Sequence, residues 1–321
     1  MVGCQATADS VADWNYNGPS TLIPKAITMN RVHACCLAIL LGLTSNAAQA
    51  EVLAQAETVL KIPLVAKPTS RPITVAYLPD YSRYYIADGG LAPMSDGLSA
   101  PVSKSEVHVY SSEGKHLQSA RPGLDNRSIY FNPHRKQLEV VTYNISSGAG
   151  FTPGTGIFAL KFDATGNLVN DANELSGHNP AFGSAGTTPS FDPATNLYYA
   201  KQERSNKVLV VDAANRAPVG EITLDLEASK VRHDEVSDLF VAHTGIAGEE
   251  LALLDIDHKA ILVFDLKGRF VGRSTLPSTM KLRANNHYNG LGYANGLFFV
   301  YHEPEGEFGT YYGFRISDQA K

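Results

Sequence analysis

A short strand pattern recurs at an almost constant spacing, and this repeat constrains the fold more than any other feature of the sequence. Each copy is a four-residue segment followed by an acidic residue or a serine. The acidic residues or serines that follow the five segments lie 52, 49, 53 and 52 positions apart. A period of about fifty residues is typical of a chain built from repeated supersecondary units. The segments are Val107–Tyr110, Ala159–Phe162, Val208–Val211, Ile261–Phe264 and Gly313–Ile316.

Each copy is accompanied by further strand signals. A turn and a second strand precede it, a third short strand such as Ile73–Tyr77 lies upstream, and a fourth such as Val219–Leu224 follows. Residues 51–321 show no sustained helical periodicity. Four antiparallel strands in each repeated unit predict an all-β fold, a β-propeller. The expected second strands are residues 84–87, 138–141, 197–200, 239–242 and 297–300.

The ends of the predicted domain complement each other. Residues 57–64 resemble the predicted fourth strands, whereas the last unit has no fourth strand of its own. We therefore expect the N-terminal strand to complete the last blade, which protects an open sheet edge and closes the ring. This arrangement predicts five blades of four strands. A six-bladed ring is the alternative, if Glu250–Ile256 opens an additional blade.

The first fifty residues are predicted to lie outside this domain. Residues 29–50 contain Arg31, a ten-residue apolar run and the small-residue sequence Ala48-Gln49-Ala50, the layout of a secretory signal peptide cleaved after Ala50. Residues 1–28 are then an upstream over-extension of the reading frame or a disordered tail. The alternative is a true N-terminal tail before an uncleaved anchor. The remaining residues, 51–321, are expected to form a single propeller domain.

These features predict a periplasmic or secreted protein. The apolar run is shorter than the roughly 20 residues that a spanning helix needs, so no membrane span is expected after cleavage. All three cysteines precede Ala50, and the exported chain would therefore depend on its core rather than on disulfides. The 27 Lys and Arg residues against 32 Asp and Glu residues give a net charge of −5 without a block of one sign. This balance argues against a nucleic-acid partner.

One repeat carries a family resemblance. Residues 207–224, KVLVVDAANRAPVGEITL, resemble repeats of the broad NHL/YVTN-type superfamily of secreted and periplasmic propellers. The resemblance covers the chain from about residue 57 to its end, and its motif is only strand, turn and strand. It implies the propeller fold. The superfamily includes lactonases, lyases, dehydrogenase subunits and binding modules, so the resemblance implies no single function.

The ends of the predicted second strands bring polar side chains toward one face of the ring. Imidazole and carboxylate groups there suit a divalent cation, and histidine is also a natural acid or base near neutral pH. The alternative is that strand ends are merely polar. His243, His302 and Glu303 are the catalytic candidates, and the possible metal ligands are Asp88, Glu203, His243, His302 and Glu303.

A second group of polar residues stands before the predicted inner strands. Its arginines would form a partial basic collar around the channel and attract an anionic ligand. The alternative is that each arginine pairs with a nearby acid such as Asp125 or Asp234. The residues of this predicted ligand site are Arg71, Arg127, Arg232, Arg283, Asn286 and His287.

Three functional hypotheses follow, and the sequence leaves open whether the protein is an enzyme. The first is an exported propeller without catalytic activity that binds a small ligand, anionic if the collar forms, or a partner protein at the channel mouth. The second is a metal-assisted hydrolase or lyase, similar to a lactonase, acting on a small anionic substrate. The third is a carbohydrate-binding or carbohydrate-active propeller.

Overall fold

The structure is a computed structural model that describes most of the predicted domain. The described residues are 51–64, 71–89, 105–144, 153–177, 180–184, 186–282, 289–303 and 309–318. They belong to one compact unit, Ala47–Lys321. The predicted tail and signal peptide, residues 1–50, lie outside the described residues, so the proposed cleavage after Ala50 stays a prediction.

The regular secondary structure of the described chain is almost entirely antiparallel β-strand. The first strand, β1, is Val52–Pro63. The next twelve strands form three separate four-stranded sheets, each in sequential order. These strands are β2 (Arg71–Leu78), β3 (Arg83–Gly89), β4 (Glu106–Ser111) and β5 (His116–Ala120) in the first sheet; β6 (Asn126–Asn132), β7 (Gln137–Asn144), β8 (Pro153–Phe162) and β9 (Leu168–Ser176) in the second; and β10 (Ser190–Asp192), β11 (Leu197–Lys201), β12 (Lys207–Asp212) and β13 (Ala217–Thr223) in the third.

The remaining strands form an eight-stranded sheet in the order β14-β15-β16-β17-β1-β20-β19-β18. The N-terminal strand β1 pairs antiparallel with β20 from Val52↔Ser317 to Pro63↔Thr310. Its contact with β17 is parallel, with the single register pair Gln55↔Thr275. The sheet therefore consists of two four-stranded groups joined at one point. Its other strands are β14 (Ala242–His243), β15 (Leu251–Asp255), β16 (Ala260–Phe264), β17 (Phe270–Thr275), β18 (Leu291–Ala294), β19 (Leu297–His302) and β20 (Thr310–Ser317).

Helical structure in the described residues is limited to short pieces. The α-helix α1, Leu226–Ser229, begins after Asp225, whose carboxylate accepts a hydrogen bond from the backbone N–H of Ala228. Two 3₁₀ turns occur at Pro79–Tyr81 and Pro180–Phe182. No helix in these ranges is long and apolar enough to cross a membrane.

The first strands of successive four-stranded groups lie side by side. Strand β2 contacts β6, β6 contacts β10, β10 contacts β14, β14 contacts β18, and β18 contacts β2. Apolar clusters fill the spaces between successive four-stranded groups; one contains Tyr85 and Leu138, and another contains Ile62, Tyr84 and Phe299. The fold is therefore propeller-like, with its core between the sheets rather than within a single layer.

The fourth repeat differs from its predicted strand assignment. Residues 239–242 are not the second strand: Ala242 and His243 belong to the innermost strand β14, and β15 is the second strand. Val236 also bridges Asp255, and Thr188 of the preceding sheet bridges Phe240. Consequently Leu251–Asp255, within the segment that the six-bladed alternative invoked, is the second strand of this four-stranded group. The loop between the second and third strands is the short turn after Asp255, not residues 245–260.

The hairpins define two faces of the molecule. We call the "hairpin face" the side where first strands turn into second strands and third strands turn into fourth strands. The "loop face" is the opposite side, where second strands lead into third strands. On the hairpin face, Gly114 and Gly268 end third-to-fourth turns with φ of +83° and +78°. This left-handed conformation favours glycine.

Candidate functional site

A cavity of about 440 Å³ opens on the hairpin face at the ends of the innermost strands. Each of the strands β2, β6, β10, β14 and β18 contributes lining residues, so the cavity lies at the mouth of the space that these strands surround. One residue from each strand is sufficient to outline it: Tyr77, Tyr130, Phe191, His243 and Tyr293. The described cavity is therefore on the face opposite to the one that the sequence predicted.

Aromatic rings form much of the wall. Tyr130 packs against Phe191 with ring centroids 5.0 Å apart. The Tyr130 hydroxyl lies 2.7 Å from a carboxylate oxygen of the buried Glu139, to which it donates, and 2.7 Å from the hydroxyl of Tyr198. Burial holds the pKa of Tyr130 well above its ordinary value. The ring is thus fixed from behind and presents apolar surface to the cavity.

A histidine and an aspartate from neighbouring sheets meet at the edge of this wall. The Nε2 atom of His243 lies 3.7 Å from Oδ2 of Asp192, and both side chains are 5% exposed. The imidazole stacks on Tyr199, with centroids 4.9 Å apart and planes 9° from parallel. The Asp192 carboxylate accepts hydrogen bonds from the Ala194 N–H and the Thr195 hydroxyl. The pair is therefore held in place from both sides.

The electrostatics favour a neutral imidazole. Burial lowers the pKa of His243, and the negative charges of Asp192 and Glu250 partly oppose this effect. A neutral imidazole can accept a proton or a hydrogen bond at one ring nitrogen and donate at the other. Beside a buried carboxylate it can therefore orient a polar ligand group or act as a general base.

The residues predicted to hold a metal are divided between the two faces. His243 ends an innermost strand on the hairpin face, whereas Asp88 and His302 end second strands on the loop face. His302 Nδ1 accepts a hydrogen bond from the Lys281 N–H. The backbone N–H of Glu303 donates to the carbonyl of Lys281, and Glu203 lies beside Arg204 with 38% of its side chain exposed.

The division has a simple cause. Neighbouring antiparallel strands run in opposite directions, and His243 belongs to a first strand rather than a second one. Within the described ranges, no group of three or more His, Cys, Asp or Glu side chains is placed to hold a metal ion. Asp88 lies 3.3 Å from a nitrogen of the buried His108, a contact that the sequence analysis did not predict.

The predicted basic collar is described only in part. Arg127 is buried and pairs with Asp125 at 3.0 Å, and Arg232 is exposed and pairs with Asp234 at 2.9 Å. These two contacts are the acid pairs that the sequence analysis gave as the alternative to an anion site. Arg71 lies in β2, with its side chain outside the described part. Arg283, Asn286 and His287 also fall outside the described residues, so the collar stays a prediction.

A buried lysine, Lys201, is the last residue of the second strand β11. The Lys201 ammonium donates hydrogen bonds to the carbonyls of Gln202, Ser205 and Asp238 at 3.2, 2.5 and 3.3 Å. Burial lowers its pKa to about 8. Because its donors are used on backbone carbonyls of its own loop and of the following repeat, Lys201 joins successive repeats.

Comparison with known proteins gives no family and no function. No family model and no curated protein sequence matches the chain. A glutaminyl cyclase of Myxococcus xanthus is similar in structure, with a TM-score of 0.49 and 11% identity over 83% of this chain and 98% of that one. The β-propeller domain of Cps50 (Swd1) from Myceliophteria thermophila has a TM-score of 0.39 and 8% identity over 79% and 99%. Likenesses this weak assign neither an activity nor a ligand.

Proposed function

We propose that this protein is an exported five-bladed β-propeller that binds a small ligand in the hairpin-face cavity. The five blades would be the three separate sheets and the two halves of the eight-stranded sheet, with β1 as the last strand of the last blade. The contacts from β2 around to β18 and back to β2 support this count. Export, with cleavage after Ala50, belongs to the same proposal and is tested by N-terminal sequencing of the secreted protein.

The cavity has the properties of a small-molecule site. Its volume of about 440 Å³ falls within the range of about 300–1,000 Å³ that is usual for such sites. An apolar wall with few convergent polar groups is also usual. The Asp192–His243 pair, set beside an aromatic wall, is the single observation that carries the proposal.

The charge of the lining selects among ligand classes. The described lining contains Asp192 and neither lysine nor arginine. A buried carboxylate near aromatic faces favours a cation or a hydrogen-bond donor over an anion. The preferred ligand is therefore a neutral or cationic molecule with an aromatic or other apolar face. An anionic ligand would need the predicted collar on the loop face.

Three molecules of similar shape test this preference. Benzylamine is cationic, benzyl alcohol is neutral and benzoate is anionic near pH 7. We expect the melting temperature of the protein to rise most with benzylamine, less with benzyl alcohol and least with benzoate, because Asp192 attracts the first and repels the last. Isothermal titration calorimetry gives the corresponding dissociation constants. Cellobiose in the same series tests the carbohydrate hypothesis.

Substitution of the carboxylate locates the site. Asp192→Asn keeps an oxygen for the Ala194 N–H and removes the charge, and we expect it to weaken benzylamine binding at least about tenfold. Val219→Ala is the matched control, because Val219 is 59% exposed on an outermost strand. Equal affinity in the wild type and Asp192→Asn, or no binding by any of the molecules, would contradict the proposed site.

A hydrolase or lyase is the second candidate function. The neutral imidazole of His243 beside Asp192 could remove a proton from a bound substrate or water. Turnover of a lactone panel, lost in His243→Gln and retained in Val219→Ala, would support it. Metal analysis of the purified protein tests the metal-assisted version, whose ligand candidates lie on two different faces.

A further inference from the structure

A second constellation lies in the outer half of the first sheet, away from the hairpin-face cavity. Strands β3, β4 and β5 are adjacent, and His108 on β4 stands directly opposite Ser119 on β5. The Nδ1 atom of His108 lies 2.8 Å from the Ser119 hydroxyl, and its Nε2 atom lies 3.3 Å from Oδ2 of Asp88. A carboxylate, an imidazole and a hydroxyl therefore form one continuous hydrogen-bonded chain.

Burial increases along this chain from the serine to the aspartate. Ser119 is exposed on the outermost strand of the sheet. The side chain of His108 is 3% exposed and that of Asp88 is 2% exposed. Glu106 Oε2 lies 3.7 Å from the same His108 nitrogen, and Oε1 of Glu106 accepts a hydrogen bond from Arg121. The hydroxyl thus faces solvent while the base and its carboxylates are held inside.

One assignment of protons satisfies all three contacts of this chain. An ionised Asp88 only accepts, so the Nε2 atom of His108 carries a proton and its Nδ1 atom presents a lone pair. Ser119 donates its proton to that lone pair. The Nε2 atom of His116, 3.1 Å from the Ser119 oxygen, then donates to it. One lone pair of the serine oxygen then accepts from His116. The second lone pair remains for attack on a carbonyl carbon.

We propose that Ser119, His108 and Asp88 form a nucleophile, base and orienting acid for acyl transfer from small carboxylic esters. The roles match those of a Ser-His-Asp triad, which is recognised by geometry rather than by sequence order. Strand β5 is the last strand of its sheet, so alternate backbone N–H groups point away from β4. Such groups are suitable donors to the oxygen of an acyl intermediate.

The reaction balances with water as the co-reactant. The Ser119 oxygen forms a bond to the ester carbonyl carbon, and its proton moves to Nδ1 of His108. The alkoxide leaving group departs as the C–O bond breaks and takes that proton. Water then attacks the acyl-serine, giving its proton to His108, and the carboxylic acid leaves as the Ser119 hydroxyl is restored. Asp88 stays ionised and stabilises the imidazolium at each stage.

Covalent labelling provides a test that does not require the natural substrate. A fluorophosphonate probe forms a P–O bond to an activated serine with loss of fluoride. We expect peptide mass spectrometry to find the label on Ser119. We also expect hydrolysis of p-nitrophenyl acetate to fall at least about 100-fold in Ser119→Ala and in His108→Gln. Ser112→Ala, which changes a serine in the adjacent turn, is the control and should keep the wild-type rate.

The outcomes separate a reactive serine from a structural network. Circular dichroism and melting temperature show whether each variant is folded, and Ser119→Ala changes only an exposed side chain. An unlabelled Ser119 would overturn the proposal, as would equal rates in the wild type and Ser119→Ala, or full activity in a folded His108→Gln.

Discussion

Two buried histidine–aspartate pairs lie near opposite faces of this protein and differ in what surrounds them. His243 and Asp192 join neighbouring sheets at the edge of a cavity, and an aromatic ring supports the imidazole. His108 and Asp88 lie within one sheet, and the second nitrogen of His108 meets a serine hydroxyl. The shorter distance, 3.3 Å against 3.7 Å, belongs to the pair within the sheet.

The difference shows that the role of a histidine–aspartate pair depends on what lies next to it. A cavity beside the pair provides room for a ligand, and stacking on Tyr199 leaves the imidazole edge to contact it. A hydroxyl beside the pair provides a nucleophile and leaves the imidazole to act as its base. The three predictions below, from the largest expected effect to the smallest, test whether Tyr199 supports its pair structurally while Ser119 contributes reactivity and little stability to the other.

The cavity pair should depend strongly on Tyr199. This side chain is 2% exposed and stacks on His243. Removing a buried aromatic ring costs about 3–5 kcal/mol, so Tyr199→Ala should lower the free energy of unfolding by that amount, as measured by urea denaturation. Tyr199→Phe keeps the ring and should lose less than about 1.5 kcal/mol. Equal losses in the two variants would show that the hydroxyl, not the stacking, supports His243.

The same pair should make stability depend on pH. Burial places the pKa of His243 below its ordinary value of 6.5 in the folded protein. Between the two values the unfolded chain binds more protons, so the free energy of unfolding rises with pH in the window just below 6.5 and is reduced at lower pH. One such group contributes at most about 1.4 kcal/mol per pH unit.

His243→Gln should remove this part of the pH dependence, as measured by urea denaturation at a series of pH values. His233→Gln changes an exposed histidine and is the control. An NMR titration of His243 gives the decisive check. A pKa at or above 6.5 would mean that the negative charges of Asp192 and Glu250 offset or outweigh the effect of burial.

Much of the fold could be predicted because the strands of each repeat are visible in the local sequence of that repeat. The strand pattern ending at Asp163 or Asp212 and the turn after it are local features that one sequence contains. Residues 57–64 also resemble a fourth strand, and β1 does pair with β20. The strand assignment of the fourth repeat was wrong because residues 239–242 and 251–255 are both short apolar runs. Composition cannot tell an innermost strand from a second strand.

The two pairs could not be predicted because both depend on register. His243 meets Asp192 across neighbouring sheets, and the error in the fourth repeat placed His243 on the wrong face. His108 and Ser119 are neighbours only because β4 and β5 pair with Val107 opposite Ala120. The strand at Val107 was predicted, but its register was not, and one residue of slip would have turned Ser119 to the other side of the sheet.

The pair within the sheet should be insensitive to the loss of its serine. Ser119 is exposed, so in Ser119→Ala a water molecule can take the place of the hydroxyl beside His108. We expect the free energy of unfolding to change by less than about 0.5 kcal/mol, while hydrolysis falls at least about 100-fold. Urea denaturation and p-nitrophenyl acetate assays on the same preparation make the comparison. A loss of stability as large as that of Tyr199→Ala would mean that the hydroxyl supports the sheet, which would remove the contrast between the two pairs.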